Sequence, residues 1–261
     1  MFDFHIHSSL SFDSDTHAEE IAISAVTAGL REICFTDHWD CHPRPTDKHD
    51  LFSLDEYSKT YDSLSVHGLI IRRGVEIGLN EWNMSECEKL LSQRAFDFVI
   101  GSVHYAKGYD PYDKEYWQGK SAKAAYMDYL EQTYKCVNLH KDFDVLGHLT
   151  YVCKSPNNPF HAPLEYKDCR ELADEIMRTL IKNGKGIEVN TSGIERGVGL
   201  LPSLDYVRRF KQLGGEIITV GSDAHDTARV GQYCGETIEA IKDIFGYVCT
   251  FEGRQPVFHN L

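Results

Sequence analysis

At 261 residues, with 40 acidic against 27 basic side chains and a formal net charge of −13, the chain lacks the clustered Lys and Arg that grip nucleic-acid phosphates or an anionic membrane surface. No apolar run approaches the roughly 18 residues of a membrane span. The length suits one α/β domain over residues 1–261, and the ordinary globular composition can supply a sizeable core.

The eight cysteines are scattered, with no Cys-x-x-Cys pair, and several fall in apolar strand-like runs. They read as reduced, mostly buried residues of a cytoplasmic protein. No signal peptide is expected, because the first strand begins at once.

Taken in order, the chain alternates strand and helix. Phe2-Asp3-Phe4-His5-Ile6-His7 reads as an apolar strand ending in two imidazoles. Alternate side chains of a strand share a face, so His5 and His7 project together and Ile6 opposes them. Asp13 follows in a serine-rich loop. A helix is expected from Ala18, with Thr16 as its N-cap, Glu19 three residues on, and Gly29 at its end. Ile33 to Thr36 is a buried strand leading to Asp37-His38. A loop with Pro43 and Pro45 precedes a helix from about Leu54 to Val66.

The third strand, Leu69 to Val75, ends at Glu76. After a helix over Ser85 to Arg94, the fourth strand, Phe96 to Gly101, leads to His104. A Tyr-, Gly- and Pro-rich loop then runs from Tyr105 to Gly119, and a helix covers Ala122 to His140. Phe143 to Leu146 is the fifth strand, closed by Gly147-His148. A helix over Lys167 to Asn183 leads to the sixth, Gly186 to Asn190, and then to Thr191-Ser192-Gly193. A helix over Ser203 to Leu213 leads to the seventh, Glu216 to Val220, and then to Asp223 and His225. A last helix near Thr237 to Phe245 precedes an apolar C-terminal stretch.

The strands are continuous apolar runs, as a parallel sheet covered on both faces requires. About seven strand–helix units predict a barrel, with the functional groups at the C-terminal ends of its strands. Six of the seven strands deliver His, Asp or Glu there: His5 and His7, His38, Glu76, His104, His148, and Asp223 with His225. Asp13 joins them from the first loop. Carboxylates concentrated without a counter-charge would repel and would be costly to bury. Divalent cations turn each group into a ligand, and nine side chains suit two or three metals. A mixed nitrogen–oxygen set serves zinc, manganese or iron. The remaining histidines lack this placement. His17, His67, His140 and His259 read as surface residues, and His42, His49 and His161 as rim-loop positions.

FHIHSSLSFD, TDHWD, GVEIG, GSVHY, LGHLT, EVNTSG and GSDAH, in this order, resemble the polymerase-and-histidinol-phosphatase superfamily, in its monofunctional histidinol-phosphatase branch. The resemblance runs from His5 to His225. It implies a distorted (β/α)7 barrel with a trinuclear metal centre. His5, His7, Glu76 and Asp223 would hold the first metal. Glu76 would bridge to a second with His104 and His148, and Asp13, His38 and His225 would hold a third.

The expected reaction is in-line attack of metal-bound hydroxide on a phosphate monoester, with L-histidinol phosphate the leading substrate. Glu76 would bridge the metals, and Asp13, His38 and His225 could serve the leaving alkoxide. Arg196, in the loop after the sixth strand, is the best cation for the phosphate, with Ser192 and Gly193 as neighbouring donors. Lys154 is a weaker candidate; in the resembling enzymes an arginine often occupies its neighbourhood. Tyr105, Tyr109, Tyr112, Tyr116 and Trp117 could wall the cleft or simply pack. Two other readings are a phosphodiesterase or nuclease of the polymerase-associated branch, which the acidic balance disfavours, and a non-catalytic metal-binding module. No isologous surface is legible, so the oligomeric state stays open.

Overall fold

Apolar runs and amphipathic helices alternate along the chain, and the computed structural model, which describes residues 1–42 and 50–261, shows what they build. In chain order come β1 (Phe2–Ile6), α1 (Ala18–Thr27), β2 (Glu32–Phe35), β3 (His38–Trp39), α2 (Leu54–Tyr61), β4 (Ile70–Gly78), α3 (Met84–Gln93) and β5 (Phe98–Ser102). Then follow α4 (Lys114–Trp117), α5 (Ala122–Leu139), β6 (Val145–Leu146), α6 (Arg170–Lys182), β7 (Gly186–Asn190), α7 (Leu204–Gln212), β8 (Ile218–Gly221) and α8 (Cys234–Phe245). The chain ends in an antiparallel hairpin, β9 (Tyr247–Glu252) and β10 (Gln255–Asn260).

Among the described residues, seven parallel strands neighbour one another in the order β1-β2-β4-β5-β6-β7-β8, and β3 pairs with β4. The ring closes between its ends: the His7 N–H donates to Ala224 O at 2.9 Å, and the Asp223 N–H to His5 O at 2.8 Å. The protein is thus an α/β barrel of the distorted (β/α)7 kind. A register irregularity between Asp3 and Ile6 sorts the side chains of β1. Phe4 joins Cys34, Phe98, Ile100, Val145 and Phe251 in a small cluster, whereas Ile6 joins the large core under the helices. Phe4 and Phe98 come from strands three places apart in the sheet, yet their rings stand 5.6 Å apart, as a closed sheet allows.

Several local expectations shift. Thr16 does not cap α1. The N-cap is His17, without a side-chain cap bond, because the Thr16 hydroxyl points to His225 O instead. Gly29 does end the helix, at φ +75. Helix α2 stops at Tyr61 rather than Val66. Its final tyrosine is fixed in the core by Ser8 and Asp37, and the serines beyond favour turn over helix.

The fifth strand shrinks to Val145–Leu146 because the Asp144 carboxylate takes the Val99 N–H at 2.8 Å in place of a ladder carbonyl. His140 is not a surface residue: it is buried, its ring nitrogen 2.7 Å from Asn80 O. His259 is half-buried against Phe2 and Thr250. His49, Pro43 and Pro45 lie outside the described residues. All eight cysteines are buried and free, and no helix among the described residues is long and apolar enough to cross a membrane.

Candidate metal centre

The C-terminal rim of the barrel gathers the nine predicted side chains around one carboxylate. Glu76, two residues before the end of β4 and fully buried, faces both ways. Its Oε2 lies 3.3 Å from His5 Nε2, 3.6 Å from His7 Nε2 and 2.9 Å from His38 Nδ1. Its Oε1 lies 3.3 Å from His104 Nε2 and 2.9 Å from His148 Nε2, and accepts the Ser102 hydroxyl at 2.5 Å. Asp223 Oδ1 sits 3.7 Å from His5 Nε2 and 3.4 Å from His7 Nε2. At the mouth, Asp13 Oδ2 stands 3.1 Å from His225 Nε2 and 3.6 Å from His38 Nε2. His148 and Asp223 occupy the left-handed region, at φ 45 and φ 57, a strained choice for non-glycine residues that aims side chains at functional sites.

The donor set fits cations. His5 Nε2, His7 Nε2, His38 Nδ1 and Glu76 Oε2 are buried without a hydrogen-bond partner among the described residues. Each such orphan costs about 1–3 kcal/mol unless something else satisfies it. His104 Nε2 and His148 Nε2 face one another at 3.4 Å, a contact that a shared positive ion resolves. Ligand atoms of His5, His7 and Asp223, of His5, Glu76 and His148, and of His7, His38 and His225 each fall within 4.8 Å of one another. The same holds for His38, Asp40 and His104.

Charge separates the groups. Burial works against ionised Glu76, Asp223 and Asp13, but neighbours outweigh it. His5, His38 and His104 hold the Glu76 carboxyl well below its usual range, Lys154 and His5 do the same for Asp223, and His225 and His38 for Asp13. Burial opposes charge on His5 as well, yet Glu188, Glu76 and Asp223 raise its pKa well above the ordinary imidazole value. His104 rises to about 10 as Asp40 and Glu76 outweigh its burial. His7 is lowered by burial and by the neighbouring His225 and His38, and His148 by burial.

A ring of supporting groups was not visible in the motifs. Glu188 Oε1 lies 2.6 Å from His5 Nδ1, and Asn190 holds the other Glu188 oxygen at 3.2 Å. Ser11 Oγ touches His7 Nδ1 at 3.0 Å, donates to Asp37 at 2.9 Å and accepts the His38 N–H at 3.0 Å. Asp40 faces His104. The available signal was a charged residue inside an apolar buried strand, as in GIEVN, and a second aspartate in TDHWD.

A cavity of about 400 Å³ opens above the centre, lined by Phe12, Tyr105, Tyr112 and Tyr151 as well as site residues. Of the aromatic loop, Tyr105 and Tyr112 reach this wall. Tyr116 and Trp117 are buried in the core, and Tyr109 is exposed. Tyr151, unremarked in the sequence, stacks on His148 with ring centroids 5.1 Å apart.

A second hollow of about 240 Å³ adjoins it, lined by Lys154, Ser192, Arg196 and Arg229 beside Asp13, Asp223 and His225. Lys154 is the surprise. It is buried, pairs with Asp223 and donates to Ser192 Oγ at 3.1 Å, so it belongs deeper in the site than its weak sequence signal implied. Ser192 donates its N–H to Asn190 Oδ1 at 2.9 Å, and its hydroxyl, 2.6 Å from the same oxygen and 3.1 Å from Asp223 Oδ2, is held within the Lys154–Asp223 cluster. Gly193 serves the turn: a Cβ there would lie 2.4 Å from Gly199 O.

Known proteins resemble this chain over most of its length. The histidinol-phosphatase of Lactococcus lactis subsp. lactis is 32% identical, over 87% of this chain and 85% of its own. A Thermotoga maritima protein named "Probable histidinol-phosphatase" is 28% identical over 98% of both. The crystal structure of the Lactococcus lactis histidinol phosphate phosphatase, complexed with zinc, L-histidinol and phosphate, superposes with a TM-score of 0.88 at 29% identity, covering 98% of each chain. The PHP domain model matches residues 3–192, a span that begins on β1 and ends at Lys154's partner Ser192, and the chain therefore belongs to the PHP domain family.

Proposed function

We propose that the protein is a metal-dependent phosphomonoesterase that hydrolyses L-histidinol phosphate to L-histidinol and phosphate. The observation that carries this is the convergence of six imidazoles and three carboxylates on one rim, with unpartnered buried donor atoms at its heart. The resemblance to histidinol-phosphatases over most of the chain supports the substrate. Residues 1–261 act as one catalytic domain in this reading, working in the cytoplasm, where eight free cysteines are stable.

His5, His7, Asp13, His38, Glu76, His104, His148, Asp223 and His225 would hold two or three divalent ions, zinc, manganese or iron by the donor set. Such ions, when bound, lower the pKa of water and offset phosphoryl charge.

The chain's own residues do the rest. Glu188 and Ser11 engage the Nδ1 atoms of His5 and His7, so that both Nε2 atoms face the centre. Lys154 and Arg196 meet the phosphate oxygens as cations, with the Ser192 hydroxyl beside them. Tyr112, Tyr151 and Phe12 shield the leaving group from water. The leaving oxygen takes its proton at the mouth, where Asp13, His38 and His225 stand. An excess of acid over base, 40 against 27, argues against a long nucleic acid as substrate.

Phosphate release from L-histidinol phosphate, p-nitrophenyl phosphate, its bis-ester and a short oligonucleotide, by metal-loaded protein, tests the reading. Histidinol phosphate should be turned over far faster than the rest. Equal turnover of unrelated monoesters would remove the substrate, and preference for the bis-ester or oligonucleotide would favour the phosphodiesterase alternative.

A further inference from the structure

We infer that Asp40 is a positioning residue that orients ligands of two metals at once, and that Gly78 exists to seat it; this rests on the metal-centre reading above. Asp40 is fully buried, with both carboxylate oxygens against His104 Nδ1 at 3.2 and 3.1 Å. Its Oδ2 also lies 3.3 Å from His38 Nδ1, an ion-pair approach to a nitrogen that has no hydrogen-bond partner among the described residues. An imidazole that directs Nδ1–H at a carboxylate keeps Nε2 for coordination, and the carboxylate makes that nitrogen a better donor. His104 Nε2 faces Glu76 and His148, and His38 Nε2 faces Asp13. Those are two different ligand groups. The other carboxylate near His38 Nδ1 is Glu76, which would be engaged as a ligand in a filled centre, so Asp40 is the carboxylate left for this unpartnered nitrogen.

The backbone holds Asp40 for this task. Its N–H donates to Asp50 O at 2.8 Å and its carbonyl accepts the Asp50 N–H at 3.0 Å. The carboxylate lies flat over Gly78, where an added Cβ would fall 1.6 Å from Asp40 Oδ1. Gly78 has no positive φ and opens no turn, so conformational freedom does not account for it. A glycine in a central strand weakens the strand and marks a close approach, and here the close approach is by Asp40. The third ligand group, His5 with His7 and Asp223, has its own supports in Glu188 and Ser11 and does not touch Asp40.

The test uses metal titration against a graded series of chelators, on wild type, Asp40→Asn and Gly78→Ala. Asp40→Asn keeps the shape and removes the charge; Gly78→Ala keeps the charge and evicts it. The expected result for both is selective: ions held with His104 and with His38 weaken about ten- to a hundredfold, while the ion held by His5, His7 and Asp223 keeps its affinity.

In cobalt-loaded protein, the paramagnetically shifted Nδ1–H resonances of two histidines should exchange with solvent faster in both variants, and the others should not change. Equal weakening of all ions would mark a merely structural role and overturn the inference. Unchanged affinity in Asp40→Asn would overturn it too, and complete loss of one ion would make Asp40 a ligand instead. Wild-type protein that takes up no metal would defeat the metal-centre reading itself.

Discussion

Replacing Lys154 by methionine keeps the length of the side chain and removes its charge. In the metal-free protein this strips the buried Asp223 carboxylate of its strongest partner, since Lys154 leads the charges that hold Asp223 ionised. Breaking a buried pair by deleting one member costs about 3–5 kcal/mol. For a chain of this size 1 kcal/mol moves Tm by roughly 2–4 °C, so metal-free Lys154→Met should melt roughly 6–20 °C below metal-free wild type.

Metal changes the sum. If Asp223 is a ligand, a bound cation replaces the lost ammonium, and the deficit of the loaded variant should shrink to a few degrees. Scanning calorimetry on both proteins in both states measures the four melting points. Kinetics give an independent reading. Loss of one charge-assisted contact to phosphate, about 1.5–3 kcal/mol, corresponds to a roughly ten- to hundredfold fall in kcat/KM. An equal melting deficit with and without metal would refute the charge argument and leave Lys154 as a packing residue. An unaltered kcat/KM would refute its contact with phosphate.

Arg196→Ala should raise KM on a phosphate monoester and lower kcat/KM about ten- to a hundredfold at unchanged metal content, measured by steady-state kinetics with elemental analysis; unaltered kinetics would return it to a solvated loop charge. Glu188→Gln keeps its shape but weakens the hold on His5 Nδ1, and metal affinity by chelator competition should fall about ten- to a hundredfold. Metal uptake near pH 7 should release protons. His104, pushed up to about 10, and His5, well above its ordinary value, carry protons in the metal-free protein and must lose them to coordinate. Affinity should therefore strengthen as pH rises, and calorimetry in buffers of different ionisation enthalpy should count at least one proton per molecule; none would contradict the assigned charge states.

What the sequence by itself determined is whatever short-range periodicity controls. Two same-face histidines on β1, apolar strands at regular intervals and a titratable residue just past most strand ends are local facts. A parallel barrel has one rim for all strand ends, so strand–helix alternation was enough to bring His5, Glu76, His104, His148 and Asp223 together without any knowledge of distances. What only the tertiary structure decided are relations between residues far apart in the chain. Glu188 touching His5 spans 183 positions, and Lys154 meeting Asp223 spans 69. No pattern within β7 or the loop after β6 names the partner, because the partner is set by which strands the closed sheet makes neighbours. Asp40 and Gly78 stood in motifs that were already visible, but their meaning depends on a missing Cβ lying under a carboxylate at the end of the neighbouring strand. Tyr116 and Trp117 show the converse. Their loop runs along the rim, yet both rings face the core, and composition alone does not tell which side of a loop is buried.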